Sequence, residues 1–307
     1  MSAPIDLSLL PVPQVVEVLD FEEILATRKS NVVNLMPEAD RDATAAMLEL
    51  ESEPAVKLLE ENSYQEIVLR NRVNDASVAV MLPYAKDGDL DNIGANCNVP
   101  RLIVIPANPD AVPPVDEVKE DDEPYRLRIQ ESPDSLSVAG PRAAYEALAR
   151  AADGRVKDVS ATSPAPCEIV ITVLAATADG IASPDLLDVV DGAVSAEDVR
   201  PLGDLVTIQA AEIADYEVEA TLFVRKGPEA ELALAAARKN AAAISAPRRP
   251  LGFSIYRTAY IAALKVEGVI DVELTKPAAN VICNRTQAAR CTAIRVTTSV
   301  IEESDDE

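Results

Sequence analysis

The sequence predicts an α+β protein, with a helical N-terminal region followed by two ferredoxin-like, split β-α-β domains. Three observations predict this class. Apolar residues recur at helical spacing through the first third of the chain. A proline-rich acidic segment interrupts the pattern, and strands then alternate with helices. We expect a helical region at 1–104, a linker or insertion at 105–124, and α+β domains at 125–212 and 213–307.

Short helices are predicted at the start of the helical region. Val18, Phe21 and Leu25 fall on one face of the first. Either Asp40 or Asp42 can cap the second, because an Asp side chain accepts hydrogen bonds from the free N–H groups of a first helical turn.

A much longer helix is predicted next. Ser52 is a good N-cap and Pro54 suits the first turn. Apolar residues from Val56 to Met81 then recur at helical spacing for about seven turns. The polar residues in its middle are either solvated or in contact with another chain: Arg70, Arg72 and Asn74. So long a helix rarely stands alone, and we expect residues 14–100 to make most of the contacts of an assembly.

The first α+β domain is predicted to have the order β-β-α-β. A helix with Pro141 near its start stops at Gly154. The strands VKDVSA and EIVITVLA follow, and the second is apolar on both faces, as a central strand would be. A helix with Ser183 as its cap and Pro184 in its first turn leads to the strand DLVTIQAAEI.

The second α+β domain begins with a strictly alternating strand, YEVEATLFV, which predicts a half-buried antiparallel strand. Pro228 opens an alanine-rich helix, and a further helix is expected to turn Ile261 and Leu264 inward. Two further strands are predicted, VIDVELTKP and TAIRVTTSVIEE. The tail ESDDE is expected to be disordered.

One connector groups unusual residues at the entrance of a strand: Arg200, Pro201, Gly203 and Asp204. A catalytic loop can look like this. The structural interpretation is favoured, because Pro201 ends a helix, Gly203 permits a turn and Asp204 can accept a hydrogen bond within it or pair with Arg200.

Composition excludes several functions. The formal net charge of −24 opposes nucleic-acid binding, which depends on lysine and arginine. The chain has no histidine, so Ser-His-Asp and Cys-His triads and histidine-ligated metals are impossible. Neither G-x-G-x-x-G nor a P-loop occurs among its 10 glycines. The chain has 52 acidic residues, so any two of them could meet by chance, and a catalytic pair of carboxylates cannot be recognised from the sequence.

The stretch DGDLDNIGANCN resembles a calcium loop, with Asp87, Asp89 and Asp91 at positions 1, 3 and 5. It fails at the two positions that discriminate, because Asn92 replaces the glycine of the sharp turn and Asn98 replaces the bidentate glutamate. We expect a helix end, a turn and a short helix capped by an aspartate.

The four cysteines, Cys97, Cys167, Cys283 and Cys291, make no C-x-x-C pair and are expected to be buried free thiols in a reducing compartment. A Cys283–Cys291 bridge is a minor alternative. The sequence shows neither a signal peptide nor an apolar stretch long enough to span a membrane, which predicts synthesis in the cytoplasm.

Four long stretches together resemble the baseplate J-like proteins of contractile-tailed phages. They begin EPAVKLLEENSYQEIVLRNRVNDASVAV, YRLRIQESPDSLSVAGPRAAYEALARAA, VKDVSATSPAPCEIVITVLAATADG and LLDVVDGAVSAEDVRPLGDLVTIQAAE. The resemblance covers residues 15–275 and rests on the order and spacing of these stretches. Cys167 stands where the family commonly has glycine, and 105–124 resembles a variable insertion.

The resemblance implies a structural baseplate protein without catalytic residues, cofactor or metal. Such proteins form wedges that pair with each other and with a smaller tail protein of the I type. The wedges join into a ring that rearranges when the sheath contracts, around the hub and spike and beside the sheath initiator. The implied location is the tail of the virion, with no nucleic acid bound and no membrane insertion. Alternatives are the same role in a contractile bacteriocin or secretion apparatus, or a cytoplasmic ferredoxin-like small-molecule-binding protein or enzyme.

Overall fold

The computed structural model describes residues 5–11, 13, 17–137, 139–197, 199–225, 227, 229–245 and 250–301. The chain divides between Pro100 and Arg101 into two compact units, which we call the helical unit and the α+β unit. The first is built of helices and the second of small sheets with helices, so the predicted α+β class is confirmed. The finer division into four ranges stays a prediction.

The helical unit contains, in its described residues, the α-helices α1 (Phe21–Leu35), α2 (Arg41–Leu48), α3 (Pro54–Ala79) and α4 (Asp87–Asn96). Arg28 of α1 pairs with Glu66 of α3 at 2.7 Å, which ties the two helices together. The buried apolar side chains of this unit include Leu25, Leu48, Val56, Ala85 and Leu90.

The helix starts differ from the predicted ones. Val18 lies before α1 and is exposed, because α1 begins only after Asp20, whose side chain accepts from the backbone N–H groups of its first turn. Glu53, not Ser52, precedes Pro54 of α3. Asp40 precedes α2, but a turn of 3₁₀ helix already holds its backbone in helical geometry, and its side chain makes no capping hydrogen bond.

Asn74 has a structural role that the sequence did not show. It is buried on α3, its amide nitrogen donates to the carbonyl oxygen of Glu17 at 2.9 Å, and its amide oxygen accepts from the backbone N–H of Glu17 at 3.0 Å. The side chain therefore pairs with the extended backbone before α1 as a neighbouring strand would.

The α+β unit begins with a short antiparallel ribbon, β1 (Ile103–Ile105) and β2 (Val118–Lys119). The middle domain follows with α5 (Asp122–Ser135), α6 (Arg142–Ala152), β3 (Val156–Thr162), β4 (Glu168–Ala175), α7 (Pro184–Val194) and β5 (Leu205–Ala210). The C-terminal domain contains β6 (Glu212–Arg225), α8 (Glu229–Ile244), α9 (Arg257–Leu264), β7 (Val269–Lys276) and β8 (Gln287–Ile301).

Helix α5 was not predicted from the sequence. Pro133 lies inside this helix, and Arg126 and Arg128 are buried on it beside Tyr125 and Ile129, so its buried side is not purely apolar. Charge pairing compensates the burial of Arg128, because this arginine forms an ion pair with Glu120 and lies over the ring of Tyr125.

The middle sheet has the strand order β3-β4-β5, with β4 antiparallel to β3 and parallel to β5. The apolar strand β4 is therefore central, as predicted.

Gly154 does follow α6, but its φ is not positive. A Cβ there would lie 2.7 Å from the carbonyl oxygen of Ile103, so the close approach of the ribbon requires glycine. The hydroxyl of Ser183 donates to Asp185 rather than capping α7.

The C-terminal sheet has the order β7-β6-β8, with β6 antiparallel to β7 and parallel to β8. The predicted alternation is confirmed, since alternate residues of β6 from Tyr216 to Val224 are buried. The inward face of α9 is corrected, because Tyr260 and Leu264 are buried while Ile261 is 37% exposed. Pro228 and the tail after Ile301 lie outside the described residues.

One residue, Ala211, joins the two larger sheets. Its backbone N–H donates to the carbonyl of Val173 in β4, and the next N–H, of Glu212, donates to the carbonyl of Thr286 before β8. Ala211 also packs in a small buried cluster with Leu174 and Ala288, one from each sheet. No flexible linker separates the domains at this point.

Candidate functional site

The calcium-like segment is a helix in the structure. Residues Asp87–Asn96 form α4, with Lys86 at the N-cap position and the aspartates in or after its first turn. A helical backbone does not present these carboxylates as a calcium loop does. Within the described residues, no group of three or more cysteine and acidic side chains is placed to hold a metal ion.

Two of the four thiols lie at the surface, contrary to the prediction that all are buried. Cys97 is exposed at the end of α4, and Cys167 is exposed in the turn before β4. Cys167 has a φ of 64°, the left-handed conformation that glycine adopts most easily. The turn before β4 therefore has a backbone conformation that favours glycine, although Cys167 occupies this position. All four thiols are free, and burial raises the pKa of Cys283.

The connector from α7 to β5 packs against the loop before α6. The hydroxyl of Tyr145 donates to Asp204 at 2.8 Å, and burial together with this carboxylate raises the pKa of Tyr145. Asp204 is therefore held by Tyr145 rather than by Arg200. Gly203 has no positive φ and open space at its Cα, whereas Gly140 has a φ of 71° and lies against Pro201. The glycine that this contact requires is Gly140.

An ion network in the middle domain surrounds the buried side chain of Arg150. Arg150 of α6 pairs with Glu131 of α5 and, at 2.9 Å, with Asp158 of β3. The other carboxylate oxygen of Asp158 accepts from the backbone N–H of Leu251 in the C-terminal domain at 2.8 Å. Burial raises the pKa of Glu131 in spite of Arg150. Each charge has a partner, as a structural network requires.

One face of α3 is exposed along its whole length. Leu58, Leu69, Val73 and the C-cap residue Val80 lie within about 60° of one another around the helix, and each is between 63% and 75% exposed. The buried residues of α3 lie on the opposite side. We call this surface the α3 outer face; it consists of Leu58, Asn62, Gln65, Leu69, Arg72, Val73, Ala76 and Val80.

The α3 outer face contains no acidic residue, although 52 of the 307 residues of the chain are aspartate or glutamate. A largely apolar stripe of about 33 Å, at 1.5 Å per residue, thus carries no negative charge in a chain whose net charge is −24. Extended exposed apolar patches mark interaction sites. This face can bury apolar area against another chain without bringing carboxylates together.

A cleft of about 1020 Å³ opens in the α+β unit, and we call it the ribbon cleft. Its lining comes from the ribbon, the start of α5, β3, the bend at 176–180 and the start of β8. Its apolar lining includes Leu102, Val104, Val118, Leu174 and Ile213.

Comparisons with known proteins agree with this organisation. Three family models match the chain: the baseplate J-like N-terminal domain at residues 51–108, the central domain at 137–210 and the C-terminal domain at 216–297. The chain therefore belongs to the baseplate J-like family, and the resemblance found in the sequence is confirmed. The last match extends beyond residue 275, where the resemblance ended.

A close relative supports the same assignment. Baseplate protein J of Escherichia phage P2 is 51% identical over 299 residues, which are 97% of this chain and 99% of that protein. The role that this membership supports is structural, in the baseplate of a contractile tail. A cryo-EM structure of the anti-feeding prophage baseplate is similar over 58% of this chain and 43% of that chain, with 14% identity and a TM-score of 0.40. In the part of the chain that the structure describes, every helix is too short or too polar to span a membrane.

Proposed function

We propose that this chain forms the wedges of a tail baseplate and acts without catalysis. Its copies pair with one another and with a smaller tail protein of the I type, and the wedges join into a ring around the hub and spike, next to the sheath initiator. The mature protein is located in the virion. The observation that carries the proposal is the 51% identity to the phage P2 protein over nearly the full length of both chains.

The α3 outer face supports an assembly role for the helical unit. Two chains that each carry a net charge of −24 repel one another, and salt reduces the range of this repulsion to about 8 Å under physiological conditions. Contacts between copies therefore depend on apolar, uncharged surface. Self-association should strengthen with moderate salt, whereas contacts to basic partners should weaken.

A pair of leucine variants tests this role. Leu69→Glu places a carboxylate in the centre of the α3 outer face, and Leu232→Glu makes the same change on α8, where the leucine is 74% exposed. Tails are purified from cells that make complete particles, and mass spectrometry measures how much of each variant they contain. We expect Leu232→Glu in normal amounts and Leu69→Glu strongly depleted, although it remains soluble and folded.

Two results would count against the proposal. Absence of the unmodified chain from purified tails would refute the baseplate role itself. Normal incorporation of Leu69→Glu would leave that role standing and refute the assignment of the α3 outer face.

A further inference from the structure

The ribbon cleft contains a lysine without an ionic partner among the described residues. Each of the other cationic side chains that line it forms an ion pair with a carboxylate within 4 Å. The pairs are Lys119–Glu117, Arg128–Glu120, Arg150–Glu131, Arg150–Asp158 and Arg290–Asp215. The side chain of Lys157 makes no hydrogen bond or ion pair with any described residue, and the residue is half-buried. Burial lowers its pKa, and the nearby Asp158 only partly offsets this. A carboxylate brought into the cleft would compensate the ammonium.

A β-bulge places Lys157 in this position. Val156 pairs with Ala175 and Asp158 with Leu174, so Lys157 is the extra residue of β3. Bulges redirect a side chain that regular alternation would place elsewhere. As a result, Lys157 lines the cleft together with both of its neighbours in sequence.

The rest of the cleft restricts what can bind. Its apolar lining favours apolar side chains, and Asp121, Glu123 and Asp179 at its wall disfavour phosphates and other polyanions. Its volume of about 1020 Å³ lies at the upper end of small-molecule pockets. An extended peptide with one carboxylate among apolar side chains satisfies all three conditions.

We propose that the ribbon cleft binds an extended segment of another polypeptide of the assembly, and that an aspartate or glutamate of this segment pairs with Lys157. This rests on the proposed baseplate function, because the partner is another chain of the tail. It goes further by defining the chemistry of the partner, an apolar segment with a single carboxylate.

Zero-length crosslinking tests the pair directly. Carbodiimide joins an ammonium to a carboxylate in contact by an amide bond with loss of water. In purified tails we expect Lys157 to be joined to an aspartate or glutamate with apolar neighbours in another chain, and we expect no such product in the isolated protein. Acetylation of Lys157 should also be slower in tails than in the isolated protein.

Two variants provide the controls. Lys157→Arg keeps the charge but cannot form the amide, so tails should assemble in normal yield and lose the crosslink. Lys157→Met keeps the length without the charge, and its incorporation into tails in competition with the unmodified chain should fall at least about tenfold.

Three outcomes would overturn the inference. Equal acetylation of Lys157 in tails and in the isolated protein, with Lys157→Met incorporated normally, would refute it while the chain's presence in tails upholds the proposed function. Protection of the isolated protein by acetate alone would assign the cleft to a small anion. Absence of the chain from tails would refute both proposals.

Discussion

Gly140→Ala is the sharpest test of the connector's role. Gly140 has a φ of 71°, which costs an alanine about 1–2 kcal/mol. The added Cβ would lie 2.8 Å from Cγ of Pro201 and 3.0 Å from the carboxylate of Asp204. Relieving these contacts moves the connector, at a cost of about 1–3 kcal/mol for an overpacked site. We therefore expect a loss of about 2–5 kcal/mol in the free energy of unfolding.

Gly203→Ala is the matched control, because Gly203 lies in the same connector with no positive φ and no atom within 4 Å of an added Cβ. We expect a change within about 0.5 kcal/mol. Urea unfolding of the full chain, followed by far-ultraviolet circular dichroism, measures both variants. If both destabilise equally, or if Gly140→Ala is neutral, the contact between the connector and the loop before α6 does not have the importance we give it.

Three further predictions follow from the described geometry. Cys97 and Cys167 should react with a maleimide in the native protein well before Cys283, as counted by mass spectrometry; fast labelling of Cys283 would contradict its burial. Burial raises the pKa of Glu146 above its usual value of 4.5, so its contribution to stability is full below that pH and is lost as the pH rises through the raised pKa. Glu146→Gln, which keeps an acceptor for the N–H of β3, should therefore increase stability at pH 7 and leave it unchanged at pH 4; urea unfolding at both values decides this. Asn74→Ala should cost about 1–3 kcal/mol and speed hydrogen exchange in the segment before α1, and unchanged exchange there would refute the pairing.

Local patterns predicted the strands better than the helices. The alternation in β6 and the doubly apolar run of β4 each follow from burial on one or two faces, which a strand's period of two makes visible in sequence. In α5 two of the four buried residues are arginines, Arg126 and Arg128, and Arg128 pairs with Glu120 outside the helix, so the apolar period is interrupted. Pro133 also suggests a turn in the sequence, although it lies inside the helix.

The candidate site depended on contacts that are distant in sequence. Tyr145 and Asp204 are 59 residues apart, and nothing near either residue indicates the hydrogen bond between them. Gly154 was recognised as special, but the reason, the carbonyl of Ile103, belongs to the ribbon. The α3 outer face could have been found, because the spacing of Leu58, Leu69, Val73 and Val80 on a face without acids is visible in the sequence.

The junction at Ala211 has a mechanical consequence. Consecutive amides, those of Ala211 and Glu212, are fixed to different sheets, so only the peptide unit between them and its adjoining dihedrals can absorb a rotation. The parallel pairing of β6 with β8 extends along the strand from there. At this junction, a rotation of the C-terminal sheet relative to the middle sheet is therefore confined to about one residue of backbone.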